Sequence, residues 1–107
     1  MSERIPKLLL QDISSSIDKI SEYTDGLSFP EFLNDSKTID AVIRNFQIIG
    51  EAANRLPKEF KEAHPIDDWH RIRGFRNLIA HDYMGIDFQI VWLIKENFLP
   101  GLKVQIE

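Results

Sequence analysis

Apolar residues recur along this chain at helical spacing, and no stretch alternates in the two-residue period of a half-buried strand. Ile5, Leu9, Ile13, Ile17, Ile20 and Thr24 make the first stripe, with Asp12, Asp18, Lys19 and Glu22 on the other faces. This predicts a helix from about Pro6 to Thr24; Pro6 suits a first turn and Gly26 ends it. Ser28 can cap a short turn from Pro30 to Leu33. Ser36 opens the next helix, where Ile39, Val42, Ile43, Phe46, Ile48, Ile49 and Ala53 form a wide apolar stripe. Such width marks a central, well-covered helix, and Pro57 ends it. Lys58 to Ala63 reads as a short charged helical piece stopped by His64-Pro65.

Asp67 or Asp68 can cap a third long helix, which runs to about His81. Gly85 marks a turn, and Asp87 caps a last helix carrying Phe88, Val91, Trp92, Lys95, Phe98 and Leu99. The Lys95 stem can lie along its apolar edge. Pro100-Gly101 should kink or restart this helix and leave a frayed tail. Four main helices, near 6–24, 36–55, 67–81 and 87–99, predict an all-α, antiparallel four- to five-helix bundle over residues 1–107 as one domain.

Composition narrows the class. Apolar residues are 43% and charged residues 28%, as in ordinary globular proteins. There is no Cys, hence no disulfide or thiolate metal site, which fits a reducing cytoplasm. The N-terminus MSERIPKLLLQ has no signal-peptide core. Apolar runs such as Ile90 to Ile94 are far too short to span a bilayer, so no membrane partner is expected. A net charge of −4 argues against a broad electrostatic grip on nucleic acid. It leaves room for a local patch, and Arg71, Arg73 and Arg76 supply one within a stretch that holds no acid.

The third long helix carries the candidate chemistry. At about 100° per residue, Ile72, Phe75, Leu78 and Ile79 share one side. His70, Arg73, Asn77 and His81 form a stripe on the other, with Arg76 at the boundary. An imidazole can give or take a proton near neutrality, and a guanidinium fork fits a phosphate. RNA cleavage by attack of its own 2′-OH needs little more: a base, an acid and a cation for the developing charge. Arg76 and His81, five residues apart, lie about 140° apart on an ideal helix and would flank a ligand. Asn77 lies four before His81, able to orient the imidazole or bind phosphate.

Several neighbours have two readings. Gly74, beside the stripe, either admits a close approach by another backbone or a ligand, or is tolerated at about 1 kcal/mol. Glu51 is either an exposed carboxylate or a partner holding Arg73 or Arg76 extended. A lone His81 would read as a capping or core histidine; His70 alone reads as surface and His64 as loop. Tyr83 can be a core aromatic with its hydroxyl in solvent. The three His are not spaced as metal ligands.

The segment RNLIAHDY resembles the Arg-x4-His-x-Tyr signature of the HEPN superfamily, specifically the HepT-like toxins paired with nucleotidyltransferase antitoxins. The likeness extends through IGEAANRLP, HPIDDWHRIRGFRN and YMGID. It implies an all-α bundle, a homodimer with the motif at its interface, and metal-independent endoribonuclease activity. It implies that Arg76 and His81 are the catalytic pair, with Asn77 supporting them. It implies that Tyr83 is the tyrosine to which the antitoxin, a minimal nucleotidyltransferase, attaches AMP to silence the toxin. His70, Arg73 and Glu51 remain candidates for RNA binding, and no cofactor is expected. The runner-up function is a non-catalytic subunit that binds nucleotide or substrate for the transferase. A plain helical dimerisation module would leave the polar stripe unexplained.

Overall fold

In the computed structural model, residues 4–63, 69–80 and 87–106 are described, with backbone alone for Arg4 and for residues 76–80. They form seven helices and no strand. The centre is the broad-striped helix, α3 (Ser36–Arg55), entered after α1 (Arg4–Thr24) and the short α2 (Phe29–Leu33). Ile39, Val42, Ile43, Phe46, Ile49, Ala52 and Ala53 are all buried along it. So many apolar positions serve two neighbours: α1 packs on one side and α5 (Trp69–Ala80) on another.

Local chemistry sets the ends. Asp35, not Ser36, is the N-cap of α3, its carboxylate accepting the Thr38 N–H at 3.1 Å and the Thr38 hydroxyl at 2.7 Å. Ser36 is the first residue inside the helix. Ser28 caps α2 through a reciprocal pair: the Glu31 N–H donates to its Oγ, and its own N–H donates to Glu31 Oε1. Gly26 takes φ 77°, the left-handed conformation that ends α1 without a Cβ clash. Leu9, Ile13, Ile17 and Ile20 of α1 are buried as their spacing requires. Ile5 is not; at 50% exposed, it lies beyond the reach of the core.

The short α4 (Lys58–Ala63) precedes α5, and α6 (Phe88–Asn97) follows it. Asp87 caps α6, its Oδ1 accepting the Gln89 and Ile90 N–H groups. α6 stops at Asn97 rather than near residue 99, and α7 (Leu99–Ile106) begins at once. The expected frayed tail is therefore a helix. Pro100 sits in its first turn, where the missing N–H is not needed. Leu102 is 1% exposed, and Lys103 pairs with Asp18 of α1. Lys95 lies along the apolar edge as expected, its amine 3.7 Å from the centroid of the Trp92 ring. No described helix is long and apolar enough to cross a membrane.

The α3–α5 contact is made by aromatic rings. Phe75 meets Phe46 edge-on at 5.4 Å between centroids and Phe98 at 6.0 Å. Phe75 thus locks α5 to α3 and to the α6–α7 junction. Phe75→Ala should cost about 3–5 kcal/mol of stability through lost burial and a cavity. Urea denaturation of the purified variant checks this, as a lowered midpoint with little change in slope.

Candidate functional site

α5 presents two unlike faces. Ile72 is fully buried and Phe75 is 2% exposed, with Trp69 also buried. His70, Arg71 and Arg73 are exposed. The apolar and polar stripes expected from the sequence therefore separate as predicted over the first half of the helix. Its backbone stays helical through Ala80. Arg76 and Asn77 thus stand one turn beyond Arg73 on the same rigid element. Their side chains lie outside the described residues, as do His81, Tyr83, His64 and the proposed caps Asp67 and Asp68. A Cβ placed on Gly74 would meet nothing within 4 Å, so the helix surface there is open within one chain.

Two cations near this stripe have roles that periodicity did not reveal. Lys61 of α4 donates from Nζ to the Ala53 carbonyl at 3.3 Å, near the C-terminal end of α3. Partial burial, aided by the charge of Arg73, holds its pKa below the usual lysine value. α4 therefore adds a positive group beside Arg73. In the sequence Lys61 is one of several charges on a short helix, and only the packing of α4 against its neighbours reveals its place. Arg71 turns elsewhere: its guanidinium carbon lies 4.8 Å from the Phe98 ring centroid. It reinforces the contact to the α6–α7 junction.

Glu51 is exposed, as the simpler of its two readings required. Among the described residues it forms no ion pair with Arg73. The reason is angular. Phe46 faces α5, and Glu51 lies about 140° around α3 from it. Glu51 instead lines a cleft of about 370 Å³ between α1 and α3, with Leu9, Asp12, Arg44, Gln47, Ile48, Ala52 and Arg55.

The family profile described as "Ribonuclease HepT-like" matches residues 13–107. The chain belongs to the HepT-like ribonuclease family. The match covers all of α5 and the Arg76-to-Tyr83 segment. A Thermococcus cleftensis protein named "Probable ribonuclease HepT" is 38% identical over 105 residues, covering 98% of this chain and 96% of that relative. A Methanocaldococcus jannaschii protein, named as a candidate RNase, is 36% identical over 107 residues, covering 100% and 98%. One from Caldanaerobacter subterraneus, similarly named, is 35% identical over 106 residues, covering 97% and 93%. No solved structure matches the chain. The all-α architecture of this HepT-like chain and its two-faced α5 accord with the sequence resemblance.

Proposed function

We propose that this HepT-like chain is a metal-independent endoribonuclease, the toxin of a toxin–antitoxin pair, and that Arg76 and His81 carry the reaction. The observation that supports this most directly is α5 itself. It turns His70 and Arg73 outward, opposite a buried Ile72–Phe75 face, and stays helical to the residue before His81. An exposed cationic stripe on that helix, in a chain whose relatives are named as ribonucleases, supports the reading.

In the proposed reaction the RNA 2′-oxygen attacks the adjacent phosphorus and the bond from phosphorus to the 5′-oxygen breaks. The 2′ proton passes to a base, and an acid protonates the leaving 5′-oxygen. His81 is assigned to proton transfer and Arg76 to the charge on the phosphorane-like transition state. Asn77 orients His81 or holds phosphate, while Arg73 and His70 bind the flanking RNA. A homodimer with its two-fold axis near α5 would bring two copies of Arg76 and His81 into one cleft, supplying both a base and an acid. The position of Glu51 across α3 separates it from the stripe of its own chain. Silencing is assigned to AMP attached at Tyr83 by a cognate minimal nucleotidyltransferase.

Because the nucleophile belongs to the RNA, no metal-activated water is required. Cleavage of a defined RNA should persist in EDTA and leave a 2′,3′-cyclic phosphate. End-group analysis by mass spectrometry reads this; dependence on added divalent ion, or a 3′-hydroxyl product, rejects the mechanism.

A further inference from the structure

Two cations from different helices are held near each other where α4 meets the start of the polar stripe. Lys61 stands on α4 and Arg73 on α5. α4 folds back on the last turns of α3, where the Lys61 Nζ donates to the Ala53 carbonyl at 3.3 Å. The same carbonyl accepts the Leu56 N–H at 3.3 Å. It belongs to the helix end that favours a cation, yet it is a neutral acceptor. It fixes the amine while using one of its three protons. α5 packs antiparallel on α3 through Phe46 and Phe75, so its first turns lie beside that end of α3, with His70 and Arg73 exposed. Burial lowers the pKa of Lys61 and the charge of Arg73 lowers it further, so the two cations feel each other.

The acids nearest in sequence or space lie on other faces. Glu62 pairs with Lys58 at 3.9 Å on the outer side of α4. Glu59 is exposed, about 160° around α4 from Lys61. Glu51 lines the cleft between α1 and α3, about 160° around α3 from Ala53. Among the described residues neither Lys61 nor Arg73 has an ion-pair partner. Like charges held close together repel, and an anion between them turns that repulsion into attraction. A compact ammonium beside a planar guanidinium fork suits the oxygens of a phosphate. The surface next to Arg73 is open, since a Cβ on Gly74 would meet nothing within 4 Å. The next turn of the same helix, about 5 Å further along its axis, carries Arg76 and Asn77. A cation pair in line with that turn matches the repeated phosphates of a strand better than a single small anion.

We propose that Lys61 and Arg73 together form a phosphate subsite for RNA, gripping a backbone phosphate that flanks the cleaved bond. The identity of the strand rests on the nuclease reading; the pairing of the two cations does not. Lys61 lies outside both α5 and the Arg-x4-His segment. It meets a phosphate that does not react, so it binds ground state and transition state alike. Its loss therefore raises KM and leaves kcat.

The test is binding of a fluorescent 2′-O-methyl RNA, which lacks the attacking hydroxyl, titrated across a range of salt. Lys61→Gln removes the charge but keeps an amide that can donate to Ala53. It should weaken binding about tenfold, as for one hydrogen bond to a charged group. It should also flatten the slope of log affinity against log salt by about 0.7, the value for one phosphate of a single strand. Lys61→Arg restores the charge and should recover the slope. Arg73→Gln should act as Lys61→Gln does, and the double variant should lose less than the product of the two, because one phosphate is shared. Circular dichroism checks folding; Lys61→Met, which keeps the apolar stem, takes the place of Lys61→Gln if that variant does not fold. Inorganic phosphate and ATP are titrated against the same proteins. A folded Lys61→Gln with wild-type affinity and slope overturns the inference. So does Lys61→Arg behaving as Lys61→Gln, which marks a structural role, or Lys61-dependent binding of phosphate or ATP but not RNA. Lys61-dependent binding by a wild type that cleaves no unmodified RNA upholds the subsite and rejects the nuclease mechanism.

Discussion

Arg76→Ala and His81→Ala should each reduce RNA cleavage to background and abolish growth inhibition, while both proteins remain folded. A positioned acid or base contributes roughly 10²–10⁴-fold to a rate. Removing a preorganised group that meets developing charge costs about 10²–10³-fold. For a toxin, either loss should relieve growth arrest. Arg76 stands on the helical backbone of α5, one turn from Arg73. α5 is fixed to the rest of the chain through buried Ile72 and Phe75, which both variants keep. The measurement is cleavage of labelled RNA by purified variants, with thermal unfolding as a control. Full activity in either folded variant removes the pair from the mechanism. A wild type that never cleaves RNA, yet is required for the transferase to act, would establish the non-catalytic binding subunit instead.

Tyr83→Phe should keep much of the cleavage activity and escape silencing by the cognate transferase. The substitution removes only the hydroxyl that would accept AMP, and keeps the ring. An attached AMP adds bulk and phosphate negative charge two residues from His81 in the chain. That charge competes with the RNA phosphate for the cations assigned to it, Arg76 among them. Inhibition should be covalent and persist after the transferase is removed. Intact-mass spectrometry after co-expression reads the outcome: added adenylyl mass on the wild type, none on Tyr83→Phe. Modification that maps to Tyr23, or silencing without a mass change, excludes the assignment. Tyr23 is a fair competitor because it is 40% exposed on α1.

Much of the fold was legible in the sequence because helices are set by near neighbours. The caps at Ser28 and Asp87 and the stop at Gly26 each depend on hydrogen bonds or dihedrals within a few residues. The division of α5 into Ile72–Phe75 and His70–Arg73 faces follows from 3.6 residues per turn. The Arg-x4-His-x-Tyr segment was readable as a resemblance from the identities of its residues and their flanks, before any packing was considered.

Tertiary structure decided what covers each face. Periodicity marks Ile5 and Ile13 alike as apolar, yet Ile5 is exposed and Ile13 buried, because the core does not reach the start of α1. Pro100-Gly101 reads as the start of a frayed end, but Leu102 finds a buried site and the Lys103–Asp18 pair joins α7 to α1. Glu51 could have met Arg73 on sequence grounds, and the packing of α5 on the Phe46 side of α3 keeps them apart. Lys61 comes beside Arg73 because α4 packs near the end of α3. A hydrophobic pattern states that a surface must be buried and at what angle; the partner that buries it depends on contacts between residues distant in the chain, which local spacing does not encode.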